Sequence, residues 1–418
     1  MERLLTIVLA GGEGQRLLPL TKDRSKPSVP FGGKYRIIDF TLSNCINSGI
    51  RQIYVLTQYR SESLLEHIQN GWGLSNTGLG DFIYCVPPQQ KVGREWYRGT
   101  ADALRQNLNL IKKKDFDHVL ILSGDHIYKM NYRHFCYYHR KKKADLTLAA
   151  IKVKKEQAVK ELGVPEVDRS YRMVGFKEKP LHPKAIAGEP EYVFASMGIY
   201  LFKTSTLIEV LQDMPADDFG KGIIPEMIDK FNVYCYDYEN ENRIEDFVVQ
   251  VIDGKRENVL VERIRDSSYW KDVGSIDLYY EASMDLVGVD PVFNLYGQKW
   301  PLRTYQKTVP PSKFILGGMA QESTVSDGCI ISGGIVRHSI LSPGVLVERD
   351  AVVENSIVFD NASIEPFARI RRAIIDKEVV IKSGSSVGWD FEADRRQGCT
   401  ISDGGIVVVP KKAVIHPT

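Results

Sequence analysis

The sequence predicts two domains, an α/β domain with a largely parallel sheet followed by a parallel β-helix. Three observations support this prediction. Up to about residue 290, short apolar runs alternate with segments of helical spacing, which is the pattern of an α/β domain. Residues 291–315 contain four prolines and little periodicity, which indicates a linker. After this stretch apolar residues recur at intervals of six, the repeat of a hexapeptide β-helix.

Four apolar runs are predicted strands of the first domain. They are rich in leucine or β-branched residues, are bounded by Gly, Asp or Lys, and span residues 4–10, 52–58, 118–124 and 145–153. Helical spacing appears at 40–46 and 103–111, between the first three runs. Ligands bind at the carboxyl ends of the strands in such sheets. The residues directly after the first and third runs are therefore the candidates for a site.

The second domain is predicted from apolar positions that are expected to point inward, one on each short side of a coil. These positions are Val325, Ile331, Leu341, Val347, Val353, Phe359, Ile364, Ile370, Ile375, Ile381 and Val387. Breaks in the phase of the repeat leave an irregular β-sandwich as the alternative. The predicted boundaries are 1–290 for the first domain, 291–313 for the linker and 314–418 for the β-helix.

Composition limits the classes of function. The chain has 418 residues, 43% of them hydrophobic, and a formal net charge of +2, which gives no basis for a nucleic-acid partner. Its six cysteines are scattered without a CxxC pair, so we expect free thiols in a reducing compartment. The short apolar run at the start passes into a glycine-rich turn, unlike a signal peptide, and no run is long enough for a membrane helix. A cytoplasmic location is expected.

The segment AGGEGQRLLPLT at 10–21 suits a phosphate chain. Gly11, Gly12 and Gly14 follow a strand and leave backbone N–H groups uncovered, while Arg16 adds a planar cation that matches phosphate oxygens. Neither the Walker A spacing nor the dinucleotide GxGxxG pattern is present. Lys26 follows in a proline-bracketed loop and could neutralise a triphosphate. A structural turn and a surface lysine are the alternatives for each feature taken alone.

Two further segments carry candidate site residues. Asp125 in GDHIYKMNY ends the third apolar run, where one carboxylate can hold Mg²⁺; capping of a helix is the alternative. Asp272 in YWKDVGSID is its expected partner, although the sequence does not establish that the two converge. In GFKEKP at 175–180, Lys179 could bind a sugar phosphate, whereas a solvated turn is the reading of that segment in isolation.

Together these segments resemble the sugar-nucleotide pyrophosphorylase superfamily, and within it the bacterial ADP-glucose pyrophosphorylases. The resemblance spans nearly the whole chain and rests most specifically on KPSVPFGGKYRIIDFTLSNCINSGI, WYRGTADAL and LSGDHIYKM. It implies a GT-A-like nucleotidyltransferase domain, a left-handed parallel β-helix, ATP and glucose 1-phosphate as substrates, Mg²⁺ as cofactor and a homotetramer. The implied reaction is attack of the sugar phosphate on the α-phosphorus of ATP, without a covalent intermediate.

The resemblance also implies roles for individual residues. Arg16, Lys26 and Asp125 are the expected catalytic groups, and Asp125 and Asp272 the metal ligands. Gln58, Trp96 and Thr100 join Gly11, Gly12 and Gly14 at the nucleotide. The positions expected to hold glucose 1-phosphate or the glucosyl part of the product are Tyr97, Gly163, Glu178, Lys179 and Ser196.

The chain departs from the family pattern at several positions. Gly222 stands in DFGKG where DFGKD is usual, which predicts weaker substrate affinity, and Asn131 stands where KMDY is common. An anionic effector site is expected from Arg24, Arg36, Lys113 and one of Arg371 or Arg372. Asp23 and Pro30 occupy places where the enteric enzymes have a lysine and a histidine, so a different effector preference is expected. A solvated basic face is the alternative.

Three rival functions stay open at this point. A pyrophosphorylase that uses UTP or dTTP would share the same motifs. A hexapeptide acyltransferase would share the β-helix, but that region has only His338 and His416 as histidines. A non-catalytic regulatory subunit would keep the fold, yet such subunits tend to lose residues of the kind present here as Lys26, Asp125, Lys179 and Asp272.

Overall fold

A seven-stranded sheet forms the centre of the first domain. The computed structural model describes residues 3–73, 80–88 and 96–417. The strand Tyr192–Lys203 runs antiparallel to both its neighbours, and the other six strands share one direction. The order across the sheet is Val233–Asp237, Leu146–Lys154, Tyr192–Lys203, His118–Ser123, Leu4–Ala10, Gln52–Thr57 and Phe82–Val86. All four strands predicted from apolar runs are present.

Helices cover both faces of this sheet. Along His118–Ser123, Leu120 and Leu122 pack with the helix Ile37–Asn47, while Val119 and Ile121 pack on the opposite face with Thr100–Gln106. Burial on both faces explains why the strands read as continuous apolar runs. The remaining α-helices of the domain are Glu62–Gly71, Leu108–Lys112, Tyr132–Lys142, Lys155–Ala158, Thr204–Asp213, Ile224–Met227, Tyr238–Glu241 and Ile276–Met284. No helix in the described ranges is long and apolar enough to cross a membrane.

The helical segment predicted at 103–111 is divided in two at Asn107. The side-chain amide of Asn107 donates to the carbonyl of Ala103 and to the hydroxyl of Tyr97, both at 2.9 Å. Asparagine competes in this way with the regular helical hydrogen bonds. The break ties the helix to Tyr97, a residue expected at the sugar phosphate.

Short elements complete the first domain. Four antiparallel strand pairs are Pro30–Phe31 with Tyr35–Arg36, His126–Tyr128 with Trp270–Asp272, Val164–Val167 with Met173–Lys177, and Asp246–Ile252 with Lys255–Val261. Single turns of 3₁₀-helix lie at Gln15–Leu17, Lys26–Ser28 and Arg265–Ser268, and a π-helical turn lies at Phe219–Ile223. The pair that contains Trp270–Asp272 sets Asp272 opposite His126.

The second domain is a β-helix of parallel strands, so the β-sandwich alternative is wrong. Its first face consists of Lys313–Ile315, Ile330–Ser332, Leu346–Val347, Ser363–Ile364, Val380–Ile381 and Val414–Ile415. The second consists of Met319–Gln321, Ile335–Arg337, Val352–Glu354, Arg369–Arg371 and Ser386–Val387. The third contains Thr324–Val325, Ile340–Leu341, Ile357–Val358, Ala373–Ile375, Val407–Val409 and the antiparallel Thr400–Ile401. The helix Phe391–Arg396 interrupts the last coil.

One predicted inward position was wrong. Val358, not Phe359, packs inside the β-helix with Val353 and Ile364, because one side of the coil is a residue shorter than the hexapeptide interval. Phe359 instead packs against the first domain, with its ring centroid 6.4 Å from that of Tyr279. The apparent break in the repeat thus places the Phe359 ring at the junction of the two domains, where it packs against Tyr279.

Candidate active site

A cavity of about 370 Å³ lies beyond the carboxyl ends of Leu4–Ala10, Gln52–Thr57 and His118–Ser123. This is the edge at which the sequence predicted a ligand. Residues from the glycine turn, the lysine loop and the helix Thr100–Gln106 converge there. The lining includes Gly11, Gly12, Lys26, Gln58, Tyr59, Tyr97, Thr100, Asp125, Gly198, Tyr200 and Asp218.

The glycine turn is closed by hydrogen bonds to Gly14. Its carbonyl accepts from Leu17 N at 3.0 Å and from Thr21 Oγ1 at 2.8 Å. Gly14 has φ of 66°, which a residue without Cβ adopts at little cost, and an added Cβ would lie 3.0 Å from the Thr21 methyl carbon. At Gly11 an added Cβ would lie 3.1 Å from Gln58 Cβ. Larger residues at Gly11 and Gly14 would therefore push the turn away from its position beside the cavity.

Lys26 joins the two carboxylates that the sequence could not connect. Its Nζ lies 2.9 Å from Asp125 Oδ2 and 2.9 Å from Asp272 Oδ1, and the lysine is buried. Burial lowers the pKa of the Lys26 ammonium, but Asp125 and Asp272 outweigh this effect and leave that pKa above its ordinary value. Burial likewise raises the pKa of Asp125, but Lys26 and His126 hold it well below its usual range. Lys26 is therefore charged and Asp125 ionised at neutral pH.

The chemistry of this donor set fits a divalent cation. Ligand atoms of Asp125, His126 and Asp272 lie within 4.8 Å of one another, and carboxylate oxygens are the protein ligands that Mg²⁺ prefers. The Lys26 ammonium already lies between the two carboxylates. The negative charge of Asp125 and Asp272 therefore holds one cation, that of Lys26, in this structure. Asp125 also accepts a hydrogen bond from Ser123 Oγ, which fixes its second oxygen.

A second group of predicted residues lies around Glu178. Its carboxylate is so close to Gly163 and Gly220 that a Cβ added at either glycine would lie 2.8 Å or 2.5 Å from Glu178 Oε2. The carbonyl of Gly163 accepts from Ser196 N at 2.8 Å. Burial raises the pKa of Glu178, and the nearby Asp218 carboxylate raises it further. Lys179 is exposed and has φ of 48°, an uncommon backbone conformation for lysine.

A pair of stacked aromatic rings adjoins the cavity, which Tyr59 lines. Trp96 stacks on Tyr59 with ring centroids 5.4 Å apart and planes at 3°, and half of the Trp96 surface is exposed. Gln58 Nε2 donates to the carbonyl of Tyr97 at 3.4 Å. The structure thus groups the predicted residues Gln58, Trp96 and Tyr97.

Sequence reasoning missed Asp218 and Tyr59. Asp218 accepts hydrogen bonds from Thr100 Oγ1 at 3.0 Å and from Gly220 N at 2.9 Å, and it caps the π-helical turn Phe219–Ile223. It is the first residue of the DFGKG segment, so an acidic side chain two residues before a glycine was the available signal. Tyr59 directly follows the predicted Gln58 and had no distinguishing signal in the sequence.

The predicted effector residues lie in more than one place, although Arg24 and Arg36 are close enough for their charges to repel. Arg24 is buried and pairs with Asp376 of the β-helix, while Arg36 donates to Ser63 O and Oγ at 2.6 and 2.8 Å. On the β-helix, Arg371 lies over the Trp389 ring at 4.7 Å, and Arg372 Nη2 donates to the carbonyl of Gly404 at 3.0 Å. Lys113 lines a separate cavity beside the strand Phe82–Val86.

Comparison with known proteins supports the reading of both domains. A family model described as nucleotidyl transferase matches residues 5–288, and a model of the GlmU-like C-terminal hexapeptide matches residues 310–409. A curated glucose-1-phosphate adenylyltransferase from Anaeromyxobacter sp. is 45% identical over 100% of this chain and 100% of the relative. The chain belongs to the glucose-1-phosphate adenylyltransferase family.

Other members of that family align over nearly their full length. The enzyme from Geobacter metallireducens is 46% identical over 97% of this chain and 96% of its own length. The enzyme from Rhodopirellula baltica is 44% identical over 99% of this chain and 91% of its own length. A nucleotidyltransferase domain followed by a left-handed β-helix is therefore the fold of this family member.

Proposed function

We propose that the chain joins ATP and α-D-glucose 1-phosphate to give ADP-glucose and pyrophosphate. The observation that carries this proposal is the full-length identity of about 45% to curated glucose-1-phosphate adenylyltransferases. The arrangement of Lys26 between Asp125 and Asp272 beside the glycine turn supports it independently. Retention of these charged groups disfavours the regulatory-subunit alternative, and the match over residues 5–288 disfavours an acyltransferase.

The reaction is a direct displacement at the α-phosphorus of ATP. A phosphate oxygen of glucose 1-phosphate forms the new P–O bond, the bond to the β-phosphate breaks, and pyrophosphate leaves with that electron pair. The attacking monoester is already anionic at neutral pH, so no strong general base is needed. Backbone N–H groups at Gly11 and Gly12 face the polyphosphate, and Lys26 and Arg16 stabilise the developing charge. His126 keeps a structural role in this scheme.

Asp125 and Asp272 are the residues that would hold Mg²⁺. When bound, Mg²⁺ neutralises phosphate charge and orients the polyphosphate. Lys26 is held by both carboxylates, and it lines the cavity. We propose that Lys26 exchanges part of its contact with these carboxylates for phosphate oxygens when substrates bind.

The glucosyl moiety is assigned to the region around Glu178. Partly buried carboxylates accept hydrogen bonds from hydroxyl groups that have lost water, so Glu178 and Asp218 suit the sugar hydroxyls. Lys179 is exposed and suits the sugar phosphate. Gly163, Ser196 and Tyr97 border the same region and are proposed to position the ring.

The metabolic role, oligomeric state, location and regulation of the protein are proposed from the family resemblance. The product would supply the synthesis of glycogen or a related α-glucan. A homotetramer, a cytoplasmic location and an anionic effector are expected from the family resemblance. The dispersed positions of Arg24, Arg36, Lys113, Arg371 and Arg372 mean that any effector contacts a subset of them. A scan of phosphorylated metabolites that leaves the rate unchanged would remove the effector proposal.

Nucleotide choice is the direct test of the proposed reaction. Purified protein with Mg²⁺ and glucose 1-phosphate should release pyrophosphate with ATP and far less with UTP, dTTP or GTP. Asp125→Ala should abolish the release. A preference for UTP or dTTP would keep the mechanism and replace the product, whereas silence with all four nucleotides, with candidate activators added, would favour the regulatory subunit.

The effect of Gly222 on substrate affinity is best tested with a double variant, because Gly222→Asp alone would also create a steric clash. A Cβ at this position would lie 2.3 Å from Ala216 Cβ, so Gly222→Asp adds a clash together with the carboxylate. We expect Ala216→Gly/Gly222→Asp to lower KM for a substrate about three- to tenfold, the effect of roughly 1 kcal/mol from one hydrogen bond. The matched control is Ala216→Gly/Gly222→Ala. Equal KM values for both substrates in the two double variants would contradict the prediction.

A further inference from the structure

The ion pair between Arg16 and Glu161 connects the glycine turn to the sugar side of the site. Arg16 Nη1 lies 2.5 Å from Glu161 Oε2, and both side chains are about half exposed, at 53% and 51%. Arg16 belongs to the segment proposed to stabilise phosphate charge, whereas Glu161 lies two residues before Gly163. A cation proposed to act on ATP is thus paired with a carboxylate of the segment that leads to Gly163.

The backbones on both sides of this pair are fixed, so the side chains are the parts that can change partners. The turn that carries Arg16 is closed by the Gly14 carbonyl and anchored by the buried Leu17. The segment that carries Glu161 is tied to the EKP loop, because Lys160 N donates to the Pro180 carbonyl at 3.2 Å. An arginine side chain is long and flexible enough to move while its backbone stays in place.

Solvent exposure on one side and a close neighbour on the other define the surroundings of the Arg16 guanidinium. A Cβ added at Gly274 would lie 2.9 Å from Arg16 Nη2 and 3.1 Å from Asp272 Oδ2. The guanidinium therefore lies next to a residue without a side chain, beside one of the proposed metal ligands. Half of its side chain stays in contact with solvent. Phosphate oxygens that enter here compete directly with Glu161 for the same donors, since guanidinium binds both anions in a fork geometry.

We propose that Glu161 is a positioning residue that holds Arg16 in the free enzyme and competes with the polyphosphate of ATP for it. The inference rests on the proposed role of Arg16 in the reaction above. ATP binds productively only when Arg16 has left Glu161, so the apparent affinity falls with the fraction of molecules in which the pair is formed. Exposed ion pairs of this kind are weak. Glu161 therefore adjusts ATP affinity by a few fold and does not block binding.

The first experiment measures ATP binding by isothermal titration calorimetry in excess magnesium chloride without glucose 1-phosphate. Glu161→Gln keeps the shape and removes the charge, and we expect it to lower the Kd of ATP about two- to fivefold. KM for ATP should fall by the same factor, while kcat and KM for glucose 1-phosphate stay within about 1.5-fold, since bound ATP has already displaced Glu161. Glu161→Asp, which keeps the charge, should behave like the unaltered chain or lie between the two. Glu156→Gln removes one exposed charge from the same segment and should change nothing.

A double-variant cycle separates this inference from the proposed function. In an Arg16→Ala background, Glu161→Gln should no longer change the Kd of ATP, because the guanidinium for which Glu161 and the polyphosphate compete is absent. An unchanged or raised Kd in Glu161→Gln, or an effect that persists without Arg16, would overturn the inference alone. If Arg16→Ala changes neither the Kd of ATP nor kcat, the proposed role of Arg16 fails together with it.

Discussion

Replacing Lys26 with methionine is expected to lower kcat about a hundred- to a thousandfold, the usual cost of removing one positioned charge-stabilising group from an active site. Lys26 is the cation that lies 2.9 Å from both Asp125 and Asp272. Methionine keeps much of the buried aliphatic volume and removes the charge. The loss should appear mainly in kcat, since the interaction with the leaving pyrophosphate strengthens as its charge develops.

The matched control for this prediction is Lys22→Met. Lys22 lies on the same loop, four residues earlier, and is exposed, so its replacement removes an identical charge outside the cavity. We expect a change in kcat of less than about twofold. Steady-state pyrophosphate release with saturating ATP and glucose 1-phosphate measures both variants, and the thermal midpoint of each shows that the fold is kept. A Lys26→Met enzyme within fivefold of the unaltered chain would remove Lys26 from the catalytic group.

Breaking the ion pair between Arg24 and Asp376 is expected to have the largest effect on stability. Arg24 Nη2 donates to both carboxylate oxygens of Asp376, at 2.8 and 3.1 Å, and the two side chains are 5% and 1% exposed. Arg24→Met leaves the carboxylate in the domain junction without its cation. The free energy of unfolding should fall by about 3–5 kcal/mol, the cost of an uncompensated buried charge.

Two comparisons make the Arg24 prediction specific. Burial raises the pKa of Asp376 although Arg24 opposes it, so the carboxylate is poorly solvated even when paired. The double variant Arg24→Met/Asp376→Leu should therefore recover much of the loss, because an apolar pair has no charge to bury. Arg337→Met breaks an exposed pair with Glu354 of the same length, 2.8 Å, and should cost less than about 1 kcal/mol.

Urea denaturation followed by circular dichroism measures these differences in the free energy of unfolding. A cost of Arg24→Met no larger than that of Arg337→Met would contradict the account of the domain junction. The same result would mean that Arg24 is not needed for stability and is a candidate to bind an effector. Its present position, with both partners buried, favours a structural role for this residue.

The strands were predictable where both of their faces are buried. Leu4–Ala10 and His118–Ser123 read as unbroken apolar runs because helices cover the sheet on each side. Tyr192–Lys203 was not recognised as a strand. Its buried positions are interrupted by partly exposed ones, and its register shifts between Ser196 and Ile199. A pattern broken in this way has no single period to detect.

The residue types at the site were predictable, but their contacts were not. Asp125 could be placed at a strand end from its local sequence alone. Its approach to Asp272 depends on the pairing of His126–Tyr128 with Trp270–Asp272, which joins segments far apart in sequence. The ion pairs of Arg16 with Glu161 and of Arg24 with Asp376 are also long-range. No local periodicity or spacing encodes such contacts.

Asn131 shows how a departure from a family pattern can be explained once the structure is known. Its side chain accepts a hydrogen bond from Arg133 N and caps the helix Tyr132–Lys142. Aspartate and asparagine cap helices about equally well. The exchange therefore keeps its structural role and leaves the site residues unaffected.

The most direct test of the proposed reaction follows the attacking oxygen. Purified protein would receive ATP and glucose 1-phosphate in which all phosphate oxygens are ¹⁸O, and both products would be analysed by mass spectrometry. Attack of the sugar phosphate on the α-phosphorus of ATP predicts ADP-glucose that contains all the label and pyrophosphate that contains none. Label in the pyrophosphate, or pyrophosphate release without ADP-glucose, would contradict the reaction assigned to this site.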